Sequence, residues 1–362
     1  VDQIGVEDSF FDLGGHSLIA VRLFTQIRKA YQVDFPISVL FEAPTIRKCA
    51  ALIAARGVAE TDDSTPAENT AAPKAQTRRF THLVPMHLGE GGPKTPFFLV
   101  AGMFGNVLNL RHLAHLVGSD RPFYGLQARG LLGDEPPHRT IAAAAADYIA
   151  EMRQVQPNGP YIVGGFSGGG ITAYEIAQQL REAGEDIADV VMLDTPLPVR
   201  PHIDRADNIR IKLMDLKNGG FRFVLDWVNR RINKLMNKGN AETAVADEGA
   251  QFHNAAIQDA FLESVGNYQV QPWDGPLALC RPPLVPKWVV GNRLISEYRN
   301  YLYPDNDWTQ FAPQISVFEV PGDHDSMVLE PNVRVLASRI RRRLAQAEGQ
   351  AIIPIDFKDA TE

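Results

Sequence analysis

The sequence predicts an α/β protein with a mostly parallel sheet, helices on both faces of that sheet, and a small helical module in front of it. From Phe80 onward, short apolar runs alternate with helical patterns, which is typical of a parallel sheet covered on both faces. These runs are residues 97–100, 123–126, 161–163, 190–193 and 315–320. Residues 1–56 show apolar side chains at helical spacing only. A chain of 362 residues is long enough for such a module beside one large core.

The composition is that of an ordinary globular protein, with 45% apolar and 22% charged residues. A net charge of -7, with no basic run longer than Arg341–Arg343, argues against nucleic acid or an anionic membrane as partner. Cys49 and Cys280 are far apart, so we expect no disulfide framework, no metal site and a cytoplasmic location. No apolar run approaches the roughly 18 residues of a membrane span.

Composition also divides the chain into zones. Residues 1–56 form the first module, and residues 57–80 are rich in Ala, Thr, Pro and charge, which predicts a flexible linker. A flexible linker of this length has an end-to-end distance of roughly 25–30 Å, so the module could swing across the large domain. That domain is expected over 81–348, followed by a tail over 349–362.

The first module contains two helical patterns. Ser17 opens the first, whose apolar stripe is Ala20, Phe24, Ile27 and Tyr31. The second begins after Pro44, with Thr45 as the expected N-cap and Gly57 as the expected end. The module starts in this chain without a further helix, so we expect a partial all-α bundle.

The large domain has one stretch without a strand pattern, from about 196 to 273. Its amphipathic segments predict an insertion of two to four helices, and insertions of this kind near active sites often act as lids. Large apolar side chains in it could line a pocket, although helical spacing favours a core role for them. They are Met214, Phe221, Trp227 and Tyr268.

Gly165–Gly169, with Ser167 at its centre, follows a predicted strand and precedes a predicted helix. This order is the nucleophile-elbow pattern, in which a tight turn lifts the serine hydroxyl above the sheet. The flanking glycines avoid clashes in that turn, and the helix start presents free N–H groups to a developing oxyanion. The alternative is a glycine-rich phosphate turn, but no later acid or lysine completes one.

The partners of a serine nucleophile follow in the expected order of serine, acid and histidine. Asp194 ends the next predicted strand, and His324 comes directly after the last one. Asp194 would orient and stabilise the imidazolium of His324, although an Asp at a strand end can also be a simple turn former. His202 and His253 also lie downstream, but outside a strand-then-loop context.

Two further features belong to this predicted site. Asp323 and Asp325 flank the histidine, and we expect them to be polar loop residues, although either could support Asp194. The turn Ala101–Gly105 follows the first apolar run of the large domain, and the backbone N–H of Met103 would complete an oxyanion hole with that of Gly168. The alternative for Met103 is pocket lining.

Residues 80–346 resemble the type I thioesterase domain of non-ribosomal peptide and polyketide synthases, an α/β-hydrolase with a helical lid. The resemblance rests on Gly165–Gly169, Asp194, Pro321–His324 and Tyr124–Gln127. It implies an acyl-enzyme mechanism on Ser167, with Asp194 as the acid.

Residues 1–56 resemble the carrier (thiolation) domain of such synthases, because Asp8–Ser17 is close to that family's attachment motif. The resemblance implies that Ser17 receives 4'-phosphopantetheine from a separate phosphopantetheinyl transferase, and that the family's first helix precedes Val1. The alternative for Ser17 is a helix N-cap.

Together these features predict a terminal carrier–thioesterase didomain of a secondary-metabolite assembly line. It would take an acyl or peptidyl chain from upstream synthase modules on Ser17, transfer it to Ser167, and release it by hydrolysis or cyclisation. One alternative is a free-standing serine carboxylesterase or lipase. Another is a non-catalytic carrier and docking module.

Overall fold

The computed structural model of the chain contains a small helical module and a large α/β domain. The described residues are 4–59 without 12, 14, 16, 34 and 36–38, then 80–89, 94–118, 120–131, 135–199, 203–217 and 255–349. Most of the predicted linker and the predicted tail lie outside these residues. In the described part of the chain, no helix has the length and apolar content needed to cross a membrane.

The helical module is built from α1 (Ser17–Tyr31), α2 (Val39–Glu42) and α3 (Ile46–Ala59). Its small core includes three residues of the predicted stripe, whereas Tyr31 is exposed. Thr45 caps α3 as predicted, because its Oγ1 accepts a hydrogen bond from the Lys48 N–H at 3.3 Å. The helix continues past Gly57, contrary to expectation, since a single glycine costs a helix only about 1 kcal/mol.

Among the described residues, the main sheet of the large domain has seven strands: β1 (Leu83–His87), β2 (Phe97–Val100), β3 (Phe123–Leu126), β4 (Tyr161–Phe166), β5 (Ile187–Leu193), β6 (Leu277–Arg281) and β10 (Ser316–Glu319). Their order across the sheet is β1-β3-β2-β4-β5-β6-β10. Only β1 pairs antiparallel, with β3, and the other neighbours are parallel. This confirms the predicted mostly parallel sheet.

Helices cover both faces of this sheet. One face packs against α5 (Ile141–Val155) and α6 (Gly169–Glu182), and the other against α4 (Arg111–Gly118) and α9 (Asn332–Ala347). Thr140 caps α5 as predicted, since its side chain accepts from the Ala143 N–H at 3.1 Å. Because the carboxyl ends of β2, β4 and β5 lie side by side, the turns that follow them meet at one edge of the sheet.

Some elements of the large domain did not follow from the sequence pattern. β6 reads Leu-Ala-Leu-Cys-Arg and contains none of the β-branched or aromatic residues that mark strands. A second sheet has very short strands, β7 (Trp288–Val290), β8 (Arg293–Ile295) and β9 (Tyr301–Leu302). In the predicted insertion, residues 205–217 form a helix, here α7, and α8 spans Ala255–Gly266.

Candidate active site

The turn between β4 and α6 holds Ser167 in a left-handed backbone conformation, with φ of 54°. The Ser167 N–H donates to the carbonyl of Leu193, the last residue of β5, at 2.8 Å. A non-glycine residue at positive φ is strained and persists only where its surroundings hold it. The main-chain hydrogen bond to β5 is one such restraint, so the serine side chain has a fixed direction.

The flanking glycines are required by close backbone approach. A Cβ on Gly165 would lie 2.2 Å from the carbonyl carbon of Gly169, and a Cβ on Gly169 would lie 2.2 Å from the carbonyl oxygen of Ala101. Neither neighbour is a flexible side chain that could move aside. The glycines therefore let β4, α6 and the turn after β2 meet around Ser167.

Ser167, His324 and Asp194 form a continuous hydrogen-bonded chain. The Ser167 hydroxyl donates to His324 Nε2 at 2.9 Å, and His324 Nδ1 donates to Asp194 Oδ2 at 2.7 Å. The side chain of Asp194 is 18% exposed and that of His324 is 41% exposed. The carboxylate is thus sheltered, while part of the imidazole is accessible.

The loop that carries His324 is held by local contacts. The carboxylate of Asp323 accepts from the Ser326 N–H at 2.8 Å and from its hydroxyl at 2.6 Å. These bonds hold the pKa of Asp323 below its ordinary value, and they commit this carboxylate to the loop rather than to Asp194. The Phe166 ring stacks on the imidazole, with ring centroids 5.3 Å apart.

Two residues that sequence reasoning missed support Asp194. Asn306 Nδ2 donates to Asp194 Oδ1 at 3.1 Å and to the carbonyl of Thr195 at 3.2 Å. The Trp308 indole N–H donates to the same carbonyl at 2.9 Å. Both carboxylate oxygens of Asp194 therefore have a partner. The segment Asp305–Asp307 is recognisable in the sequence as a turn, but its contact with the residues that follow β5 is not.

The turn after β2 lies directly against Ser167. A Cβ on Gly102 would be 3.7 Å from the Cβ of Ser167. The turn is closed by a hydrogen bond from the Gly105 N–H to the Gly102 carbonyl at 2.8 Å, with Gly105 at φ of 72°. Met103, predicted to supply an N–H to the oxyanion hole, lies within this turn. Gly168, the other predicted donor, directly precedes α6.

Two cavities flank the candidate site. A cavity of about 50 Å³ lies beside the turn after β2, with Met103 and Phe261 in its wall. A larger one of about 210 Å³ has walls from His324, Asp194, Tyr301 and Tyr303. Helix α8 comes close to the elbow, because a Cβ on Gly168 would lie 2.5 Å from the Phe261 ring.

The lid residues have mixed outcomes. Met214 packs against the cluster around Trp288, and the Tyr268 hydroxyl donates to Glu175 Oε2 at 2.8 Å while its ring packs on the core. These two have the core role that their spacing favoured. Phe221 and Trp227 lie outside the described residues, as do His202 and His253.

In the described residues, one side-chain cluster has spacing that a metal ion could use: His82, His138 and Asp147. Asp147 Oδ2, however, already accepts from His138 Nε2 at 2.8 Å and from Arg129 Nη1 at 3.3 Å. Burial lowers the pKa of His138 despite the hydrogen bond to Asp147. A cation here would compete with the arginine, so we assign the cluster no metal.

Ser17 is the first residue of α1, although its side chain, like His16, lies outside the described residues. The charge at this helix start suits an anionic group. The first turn of α1 carries no acidic side chain, and helix N-termini favour phosphate through their free N–H groups. Gly15 is required locally, since a Cβ there would lie 2.2 Å from the Phe10 carbonyl oxygen.

Family models match both parts of the chain. The phosphopantetheine attachment site model matches residues 1–53, and the thioesterase domain model matches residues 95–250. This chain joins a carrier domain to a thioesterase domain. The N-terminal helical module thus matches the phosphopantetheine attachment site family, and the α/β domain matches the thioesterase domain family.

Related proteins point the same way. The chain is 33% identical over 296 residues, 79% of its length, to a dimodular nonribosomal peptide synthase of Bacillus subtilis (strain 168). It is 29% identical over 95% of its length to a chondramide synthase of Chondromyces crocatus. The chain spans 11% of the first relative and 9% of the second.

A crystal structure of a four-domain nonribosomal peptide synthetase has the same fold. It covers 98% of this chain at 24% identity with a TM-score of 0.54, and the chain covers 25% of it. Together with the two family models, this match confirms the predicted α/β domain preceded by a helical carrier module.

Proposed function

We propose that the thioesterase domain accepts an acyl or peptidyl chain from a thioester on Ser17 and releases it through an acyl-enzyme on Ser167. The observation that carries this proposal is the hydrogen-bonded chain from Asp194 through His324 to Ser167 at the elbow. Product leaves by hydrolysis or, where the chain has its own nucleophile, by cyclisation.

In the first half-reaction His324 acts as the base. Its Nε2 takes the hydroxyl proton as Ser167 Oγ bonds to the thioester carbonyl carbon. When the tetrahedral intermediate collapses, the carbon–sulfur bond breaks and the imidazolium returns that proton to the departing sulfur. Asp194 holds Nδ1–H of the imidazole and stabilises its positive charge, while remaining ionised itself.

The second half-reaction repeats these steps with a different nucleophile. His324 takes a proton from water, or from a hydroxyl or amine of the chain, as that group attacks the acyl carbon. The ester bond to Ser167 Oγ then breaks, and the proton passes back to that oxygen. The enzyme is returned to its starting state, so no other reactant is consumed.

The oxyanion of both half-reactions would be held by the backbone N–H groups of Met103 and Gly168. The proximity of the Gly102 turn to Ser167 supports this assignment, as does the position of Gly168 at the start of α6. Donors fixed in place before the reaction stabilise developing charge without reorganisation.

We propose Ser17 as the residue that carries 4'-phosphopantetheine. When bound there, the group would present the acyl chain as a thioester on a long, flexible arm. The partners on this proposal are a phosphopantetheinyl transferase and upstream synthase modules. We also place the protein in the cytoplasm, which suits Cys49 and Cys280, both unpaired.

The test is a pair of serine variants in the full chain. Ser167→Ala is expected to load an acyl-pantetheine on Ser17 normally and to retain it, as measured by intact-protein mass spectrometry over time. Ser17→Ala is expected to hydrolyse a soluble N-acetylcysteamine thioester normally but to take up no pantetheine.

Release by Ser167→Ala at the wild-type rate would overturn the proposal. Fast turnover of small oxygen esters that exceeds turnover of the thioester, with acyl groups stable on Ser17, would favour a free-standing esterase. A wild-type chain that forms no fluorophosphonate adduct on Ser167 would favour a docking module without catalysis.

A further inference from the structure

One arginine of the thioesterase domain contacts the carrier domain directly. Arg111 is the first residue of α4, and its Nη1 donates to the main-chain carbonyl of Gly15 at 2.5 Å. The same guanidinium lies over the Phe11 ring, 5.3 Å from the ring centroid. Both partners belong to the segment Asp8–Ser17, which resembles the attachment motif.

An apolar contact lies beside this arginine. Phe41 of α2 packs against a cluster formed by Val84, Ala101 and Val107 of the thioesterase domain. Phe41 also contacts Phe11, with ring centroids 5.4 Å apart. The guanidinium and the two aromatic rings therefore form one continuous docking surface.

The docking surface joins the turn that lies against the candidate nucleophile. Ala101 opens that turn, whose next residue, Gly102, approaches Ser167. Val107 follows the turn, and a short 3-10 helix over Leu108–Leu110 leads from it to Arg111. A carrier seated here thus contacts both ends of the segment that contains the predicted oxyanion donor Met103.

The surroundings of Arg111 suit a fixed contact. Its Nε donates to His112 Nε2 at 3.2 Å, which orients the guanidinium plane. Burial, followed by the charge of Arg111, lowers the pKa of His112, so that ring stays neutral and able to accept. The planar fork of arginine can bond a carbonyl and stack on an aromatic ring at once, whereas lysine offers only a point charge.

We propose that Arg111 is the positioning residue that docks the carrier domain for acyl delivery to Ser167, an inference that rests on the function proposed above. Arg111 binds a main-chain carbonyl two residues before Ser17, so it fixes the register of the attachment site whatever the acyl chain is. Phe41 anchors the same surface by burying apolar area. In the docked state the pantetheine arm on Ser17 starts close to the thioesterase domain, so its diffusional search is shorter.

The experiment compares two substrates on one set of full-length variants. Octanoyl-pantetheine is loaded on Ser17, and its single-turnover release is followed by intact-protein mass spectrometry, normalised to the loaded fraction. Hydrolysis of the soluble octanoyl N-acetylcysteamine thioester is measured in parallel. The variants are Arg111→Ala, Arg111→Lys and Phe41→Ser, with Arg153→Ala on the surface of α5 as the matched control.

Arg111→Ala is expected to slow release from Ser17 about tenfold, as the loss of a hydrogen bond from a charged donor implies, and to leave hydrolysis of the soluble thioester within twofold of wild type. Arg111→Lys should recover only part of the rate, and Phe41→Ser should slow release selectively. Release from Ser17 at the wild-type rate in Arg111→Ala overturns the proposal, and so does an equal loss with both substrates.

Hydrogen–deuterium exchange gives a readout that needs no activity. Arg111→Ala is expected to speed exchange in peptides covering 39–46 and 105–112, and unchanged exchange in both would contradict docking. A wild-type chain that releases neither substrate would refute the proposed function, while the exchange result would still decide whether Arg111 docks the carrier.

Discussion

The two proposed functional serines both follow glycine-containing segments near the start of a helix, but the two places are built very differently. Ser167 sits at positive φ between a buried strand and a buried helix, with Gly165 and Gly169 in contact with backbone atoms. Ser17 begins α1 in a module with a much smaller core. A nucleophile needs a hydroxyl with a fixed direction, and therefore a rigid backbone. An attachment site only has to be accessible to its transferase.

Gly169→Ala should break the elbow and has the largest expected effect. The new Cβ would lie 2.2 Å from the Ala101 carbonyl oxygen and 2.6 Å from that of Val100, and neither atom can turn away. We expect no measurable thioester hydrolysis. Gly266→Ala is the control, because a Cβ there meets nothing within 4 Å, and it should retain full activity with an N-acetylcysteamine thioester.

Gly15→Ala is the corresponding substitution in the carrier domain, to be compared with Gly169→Ala. The clash with the Phe10 carbonyl oxygen is equally close, but it lies outside the thioesterase core. We expect loss of pantetheine loading with unchanged hydrolysis of the soluble thioester. Loss of both activities would mean that the two turns are not independent.

Asp194→Asn should be the next largest effect. The amide cannot hold the imidazole in the tautomer that accepts the Ser167 proton, nor stabilise the imidazolium. On the proposed mechanism, we expect kcat to fall by roughly 10⁴-fold with little change in KM, the effect of this substitution in a known serine triad. Stopped-assay kinetics with the soluble thioester measure this, and a loss under tenfold would argue against Asp194 as the triad acid.

Sequence reasoning anticipated those parts of the molecule in which pattern and chemistry coincide. The buried β-branched strand before Ser167 and the strand-then-loop position of His324 led to residues that the structure brings within 2.9 Å of each other. The triad order of serine, acid and histidine then selected Asp194. Each of these signals is local in sequence. The residues that they mark meet in space because the fold places the carboxyl ends of parallel strands at one edge of the sheet.

Contacts between distant segments could not be anticipated in this way. Asn306 reaches Asp194 across 112 positions of the chain, and Arg111 reaches Gly15 across 96. Nothing in the local sequence of either residue specifies such a partner. Strand β6 was missed for a different reason, since its burial comes from its neighbours in the sheet rather than from its own β propensity.

Arg343→Met tests whether the two domains are stabilised separately. Arg343 donates to both carboxylate oxygens of Asp189, at 2.6 and 3.1 Å, and the Asp189 side chain is fully buried. Removing the arginine leaves an uncompensated buried charge, which costs about 3–5 kcal/mol of stability. Calorimetry should show a lower Tm for the thioesterase transition alone.

The stability lost in Arg343→Met should depend on pH, because Asp189 is a titratable group. Burial already raises the pKa of Asp189 in the folded chain, despite Arg343, and removal of Arg343 raises it further. A raised folded-state pKa means that stability is lost as pH rises through that value and regained on acidification. The deficit of Arg343→Met should therefore shrink at acidic pH, and Asp189→Asn in the same chain should restore most of the stability.

Asn306→Gly should give the smallest effect, and it tests directly how the proposed triad is held in place. Asn306 has φ of 50°, so glycine removes the side chain without adding backbone strain. Asp194 Oδ1 then loses a hydrogen bond of about 1 kcal/mol, and kcat should fall about tenfold or less while KM is unchanged.

The variant Asn306→Asp keeps the tolerance for positive φ but places a second carboxylate beside Asp194. The added negative charge favours the imidazolium of His324, so the rise of kcat with pH should move to higher pH in that variant. A pH profile identical to wild type in Asn306→Asp, together with an unchanged kcat in Asn306→Gly, would limit Asn306 to closing its own turn.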